Sequence, residues 1–209
     1  FVSTNGRCLS FDKQTGKYLG SIGHKGEDPK GYSNANCFIH PHTNNLYFYR
    51  QPDKLVKYDT KGNYLGQVNL PQKISPSLYF TFSDSLILAH YGEGIGQPQA
   101  SALLYFNEQG EIKDSLPEFA NPGNPMGMDQ ISSINVFKQL PGNANIGGLI
   151  YINYQNGTMT VLPIDQPSLW LSNGSIRFRK AFNDTIYDIK GHEATVHNHL
   201  PYQTMAFPS

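Results

Sequence analysis

Apolar and polar positions alternate in short runs along most of the chain. Lys54-Leu55-Val56-Lys57-Tyr58 is one such run, and Leu46-Tyr47-Phe48-Tyr49-Arg50, Leu78-Tyr79-Phe80-Thr81-Phe82, Ser85-Leu86-Ile87-Leu88-Ala89-His90 and Ala102-Leu103-Leu104-Tyr105-Phe106 are further ones. Short runs rich in aromatic and branched residues, bounded by Gly, Pro, Asn and Asp, predict strands; their alternation fits antiparallel strands with one buried face. Nearer the C-terminus, residues 149–154 and 158–162 flank Asn156-Gly157 and predict a hairpin, and strands are expected at 175–179 and 185–189. No helical periodicity of ten or more residues is present.

One element returns. Phe11-Asp12-Lys13-Gln14-Thr15-Gly16-Lys17-Tyr18-Leu19-Gly20 is matched by Tyr58-Asp59-Thr60-Lys61-Gly62-Asn63-Tyr64-Leu65-Gly66, and less closely by Phe106-Asn107-Glu108-Gln109-Gly110-Glu111-Ile112. An Asp or Asn that bonds back to the turn backbone, followed by a Gly that supplies positive φ, predicts a hairpin between two strands. Gly16, Gly62 and Gly110 stand 46 and 48 residues apart. That is the length of a four-stranded propeller blade, and in the third unit three strands precede the hairpin, which gives four strands per unit. The expected fold is therefore an all-β propeller of four-stranded antiparallel blades, in a single domain over 1–209 with approximate units 1–37, 38–74, 75–130 and 131–209. Residues 117–128, rich in Pro, Gly and Asn, are expected to form a loop between blades.

Directly after the first hairpin, Gly20-Ser21-Ile22-Gly23-His24-Lys25-Gly26-Glu27-Asp28-Pro29-Lys30-Gly31-Tyr32 resembles the crossing between blades of NHL-type propellers. Together with the first hairpin, and with Phe182-Asn183-Asp184-Thr185-Ile186-Tyr187-Asp188-Ile189, it is similar to the six-bladed β-propeller lipoproteins of Bacteroidota, over most of 1–116 and 175–202. The resemblance implies a lipid-anchored protein of the cell envelope, at the outer-membrane surface or in the periplasm. It also implies a protein partner in an outer-membrane complex, some of which serve nutrient uptake, or a glycan or peptide ligand. Six blades at about 46 residues need roughly 280 residues, so four to five blades are expected in 209 residues. A chain that opens within a strand at Phe1 is then expected to be part of a longer one.

Charge narrows the partners. Sixteen Lys and Arg balance sixteen Asp and Glu, which leaves no broad basic field for nucleic acid. No stretch approaches the roughly 18 apolar residues that span a bilayer, and no signal-peptide pattern is present. Cys8 and Cys37 are the only cysteines; two buried thiols are favoured over a disulfide, which stays open.

Candidate chemistry is sparse. His40-Pro41-His42 and His197-Asn198-His199 are His-x-His pairs that a regular strand would place on one face, as a divalent metal requires, with His192 and Glu193 near the second. Metal candidates are therefore His192, His197 and His199, with no cofactor otherwise expected. Gly92-Glu93-Gly94-Ile95-Gly96 has no following helix and is expected to be a turn. Trp170, the single tryptophan, could stack against a sugar, and His24 lies in the crossing segment; these are the candidate ligand contacts. Asn156, Asn173 and Asn183 fit the glycosylation pattern, two of them as Asn-Gly turns. No nucleophile elbow or sialidase-type motif is present, and no catalytic residue is assigned. The favoured reading is a non-enzymatic binding or scaffold module; the alternative is a metal-dependent hydrolase or lactonase-like enzyme with its site in a central channel.

Overall fold

The computed structural model describes residues 1–4, 6–74, 78–83, 85–91, 103–116, 130–137, 149–163, 168–179, 185–191 and 193–199. These residues form antiparallel meanders with almost no helix. The first sheet holds β1 (Val2–Thr4), β2 (Arg7–Phe11) and β3 (Tyr18–Ile22). The second holds β4 (Cys37–Ile39), β5 (Leu46–Arg50), β6 (Lys54–Tyr58) and β7 (Tyr64–Asn69), and the third β8 (Leu78–Ser83), β9 (Leu86–Tyr91), β10 (Leu103–Phe106) and β11 (Ile112–Leu116). The fourth is β12 (Ile131–Phe137), β13 (Leu149–Tyr154) and β14 (Met159–Pro163). The fifth is β15 (Leu169–Ser172), β16 (Ser175–Phe178), β17 (Thr185–Lys190) and β18 (Glu193–His199). Residues 131–199 thus carry two sheets. No sheet closes on itself among the described residues.

The recurring hairpin joins the last two strands of each of the first three sheets. In the second, the Asp59 N–H donates to the Asn63 carbonyl at 3.0 Å, while Asp59 Oδ1 accepts from the N–H groups of Lys61 and Asn63, each at 2.8 Å. Asn107 repeats this with Gln109 and Glu111, and Asp12 does so with Gln14 and Thr15. In all three the register slips at the aromatic residue before the Asp or Asn: between Ser10 and Phe11, Lys57 and Tyr58, Tyr105 and Phe106. This shared bulge adds twist at the same point of each sheet.

Packing follows a two-residue period. From the third sheet, Leu78, Phe80, Phe82, Ile87, Ala89, Leu104 and Phe106 pack toward the second sheet with Tyr47, Leu55 and Val68, while Leu88, Leu103, Tyr105 and Leu116 pack toward the fifth with Leu169, Ile176, Phe178 and Ile189. The second sheet divides likewise, since Leu46, Phe48, Val56 and Tyr58 join Cys8, Ile22 and Tyr32 against the first. These two middle sheets therefore bury both faces, whereas the sequence reading expects one. The signal is the unbroken apolar stretches Leu46-Tyr47-Phe48-Tyr49 and Leu103-Leu104-Tyr105-Phe106, which belong to strands covered on both sides. None of the three apolar clusters among the described residues includes a residue of β12–β14.

Hairpin tips of the second, third and fifth sheets reach the first, second and third sheets respectively. The Asn69 N–H donates to the Glu108 carbonyl at 3.0 Å, and Lys57 Nζ reaches the Glu108 carboxylate at 2.6 and 2.8 Å. Tyr105, one residue from the bulge as Lys57 is, donates its hydroxyl to the Gly191 carbonyl of the fifth sheet at 2.7 Å. Gly62, at φ +88°, sits so close to the first sheet that an added Cβ would stand 3.2 Å from the Ser21 oxygen, and at Gly110, φ +82°, it would stand 3.0 Å from the Asn69 oxygen.

Two outcomes follow. Gly16, at φ +70°, faces open space, so Gly16→Ala should cost only the left-handed strain of about 1–2 kcal/mol, and Gly62→Ala should cost about 1 kcal/mol more because it also pushes on the neighbouring sheet; paired urea denaturation curves measure the difference. Second, the Asn63 side-chain amide, then backbone N–H groups, hold the Asp59 carboxyl below its ordinary value. A depressed folded-state value gives stability that is present above the unfolded value near about 3.9 and lost as pH falls through the folded one. Urea midpoints should therefore fall below about pH 4, and Asp59→Asn, which keeps the acceptor for the turn, should flatten that fall.

Candidate functional site

Asn173-Gly174 makes a two-residue turn with both residues at positive φ, +50° and +77°, the geometry that suits a tight hairpin. It sets Ser172 opposite Ser175, Leu171 opposite Ile176 and Trp170 opposite Arg177. Arg177 in turn lies opposite Asp188, and Asp188 opposite Thr195. Residues paired across strands share a face, so Trp170, Arg177, Asp188 and Thr195 form one row across the whole fifth sheet. Their neighbours Leu169, Ile176, Phe178 and Ile189 point the other way, into the cluster shared with the third sheet.

The row is held by charge. Arg177 Nε lies 3.2 Å from Asp188 Oδ1, and His197 Nδ1 lies 2.9 Å from Asp188 Oδ2. Arg177 and Asp188 are only 21% and 24% exposed, and their facing atoms form an ion pair without hydrogen-bond geometry. Trp170 is half-buried. Ser172, Ser175, Lys190 and Glu193 form a second polar row on the same face, read from the same registers. The arrangement offers an aromatic surface beside fixed donors and acceptors, which suits a ligand with apolar faces and polar edges.

The predicted residues are distributed as follows. Trp170 and His197 come together on this face. His199 does not join them: the register slips between Ile186 and Tyr187, His199 pairs with Thr185 and its Nδ1 lies 3.1 Å from the Thr185 hydroxyl, on the opposite face from Asp188. The bulge thus undoes the same-face rule on which the His-x-His pattern relies. His192 lies outside the described residues, as do Gly92–Gly96, 117–128 and Asn183. No group of three or more His, Cys, Asp or Glu is close enough to hold a metal among the described residues.

His24 is tied into its own loop. Its Nε2 lies 2.5 Å from Asp28 Oδ2, and that contact, with the Lys30 N–H on the other oxygen, holds the Asp28 carboxyl below its ordinary value. The loop's carbonyls are taken by the second sheet, with Arg50 donating to those of Glu27, Asp28 and Gly31, Tyr58 to Lys30 and Gln67 to Pro29. His40 is similarly occupied: its Nδ1 accepts from the N–H groups of His42 and Thr43, its ring lies 4.5 Å from that of Phe82, and burial pushes its imidazole below its ordinary value. Arg177 and Asp188 were not singled out from sequence. Counting outward from the Asn173-Gly174 turn pairs Trp170 with Arg177, and the same count from Gly191-His192 pairs Asp188 with Thr195.

Against known families, the model for the domain of unknown function DUF4934 matches residues 1–209. The chain belongs to the DUF4934 family. That match overturns the resemblance to six-bladed NHL-like lipoproteins of Bacteroidota: no propeller or NHL family is indicated, and no sheet closes among the described residues. The physical reason is that an aromatic followed by Asp or Asn and, three or four residues later, by Gly is hairpin chemistry, available to any antiparallel meander. No curated protein matches the DUF4934 chain. Among solved structures, it is similar to a Bacteroides fragilis protein provisionally described as exported, at 10% identity and a TM-score of 0.44, covering 96% of this chain and 52% of that one. The DUF4934 chain spans about half the length of that protein.

The ion pair is testable by its asymmetry. Asp188→Ala leaves Arg177 partly buried without its carboxylate and should cost about 1–2 kcal/mol, less than for a fully buried pair because both side chains keep some solvent. Asp188→Ala combined with Arg177→Leu should recover most of that loss, measured by denaturant unfolding of the two variants.

Proposed function

We propose that the DUF4934 chain is a non-enzymatic binding module whose outward face of the fifth sheet takes a glycan. The observation that supports this is the row Trp170, Arg177, Asp188 and Thr195, flanked by His197, on the sheet face that turns away from the third sheet. A sugar ring offers an apolar face to the indole and hydroxyls to the guanidinium, carboxylate and hydroxyl beside it. Charge pairs that are already formed hold these groups in place before a ligand arrives, which lowers the ordering cost of binding. A cell-envelope location belongs to the same proposal.

The four-stranded sheets are read, in the same proposal, as propeller blades. Support comes from the repeated docking of hairpin tips on a neighbouring sheet and from Val2, Phe11 and Tyr18, exposed apolar residues of the first sheet that a further blade would cover.

Trp170 is the only tryptophan, so its fluorescence reports occupancy of this face alone. Titration with an oligosaccharide panel should give a saturable change for at least one member. By calorimetry, Trp170→Ala should weaken binding tenfold or more, about 1.4 kcal/mol, while Trp170→Phe retains part of it. A panel with no saturable response, or binding that survives Trp170→Ala unchanged, overturns the proposal.

A further inference from the structure

Cys8 and Cys37 come from different sheets and meet at one interface. Cys8 lies on β2, fully buried, with its N–H donating to the Tyr32 hydroxyl at 3.2 Å. Cys37 opens β4 and packs, half-buried, against the cluster of Cys8, Ile22, Tyr32, Phe48 and Val56 that joins the first two sheets. Tyr32 braces this contact from both sides, its hydroxyl on β2 and its ring stacked 4.6 Å from that of Phe48 on β5. Both thiols are free in this structure, and they pack in the same apolar cluster between the first two sheets. Neither takes part in the face around Trp170.

We infer that Cys8 and Cys37 are a redox-responsive pair that closes to an intramolecular disulfide, tying the first sheet to the second. The oxidant is a small disulfide of the glutathione class. The more accessible Cys37 attacks as its thiolate, forms a mixed disulfide and releases one thiolate of the reagent. Cys8 then loses its proton to solvent, and its sulfur attacks the Cys37 sulfur, forming the protein disulfide and expelling the second thiolate. The protein loses two hydrogens and the reagent disulfide becomes two thiols.

The environment suits that order of events. The neighbouring Cys8 thiol lowers the Cys37 thiol to about 7, and the same neighbour together with burial pushes Cys8 strongly up. Cys37 is thus the nucleophile near neutral pH and Cys8 the resolving partner. The closed loop spans residues 8 to 37, so the bond limits a long stretch of unfolded chain.

The test uses the whole purified chain, reduced and then treated with oxidised glutathione. Denatured thiol counting should fall from two to none, a cross-linked peptide pair containing residues 8 and 37 should appear, and the melting temperature should rise by about 5–10 °C and return on reduction. In Cys8→Ala the glutathione adduct on Cys37 should persist, and the pH at which Cys37 is half-maximally alkylated should move upward from about 7. A wild-type chain that keeps both thiols, stops at the glutathione adduct on Cys37, or links only between molecules overturns the inference. These outcomes do not depend on glycan binding.

Discussion

A sheet of three or four strands, each three to seven residues long, cannot bury its own apolar side. It must lie against another sheet. That constraint organises the rest of the molecule. The second and third sheets meet it on both faces, sending alternate residues of the same strand into different clusters, as Leu88 and Ala89 do. The interfaces of the second sheet with the first and with the third are each sealed at one end by a hairpin tip, where an aromatic, a bulge and a glycine bring backbone against backbone. The bulge matters because it supplies local twist. Its recurrence at the same residue of three hairpins gives three neighbouring sheets the same shape and lets them dock alike.

How far this was legible in sequence depended on how local the cause was. The Asp12, Asp59 and Asn107 turns were readable because donor, acceptor and glycine lie within six residues of each other. The all-β class followed from them. The family did not, since the same turn chemistry serves unrelated β proteins. Burial on both faces was written in stretches such as Leu103-Leu104-Tyr105-Phe106, yet short apolar runs look alike until the neighbouring sheets are placed. The direct contact of the third sheet with the fifth was not legible at all, because no local pattern says which sheet a chain returns to after residues 131–163.

The face around Trp170 shows the same division. Trp170 and His197 drew notice as residue types, but their meeting depends on two turn registers and a bulge acting together. One slip between Ile186 and Tyr187 sends His199 to the opposite side and keeps His197 beside Asp188. A two-residue spacing rule fails at a bulge, and only pairing across strands reveals it.

The two outer ends of the packed series differ in kind. On the first sheet the outward residues Val2, Phe11 and Tyr18 are apolar, an unfavourable surface to leave in water. On the fifth, the outward rows are ionic and hydroxylic, and Arg177 and His197 both lie against Asp188, so leaving them outward costs little. A face that need not be covered for stability is free to be shaped by a ligand. The fifth sheet is fixed from behind by Leu169, Ile176, Phe178 and Ile189 against the third, so its strands hold register without help from the outward residues. Trp170 can then remain half exposed beside a rigid ion pair. The Cys8–Cys37 contact lies at the opposite end of the series, between the first and second sheets, where a covalent tie acts on docking of the end sheet and not on the geometry of the polar face.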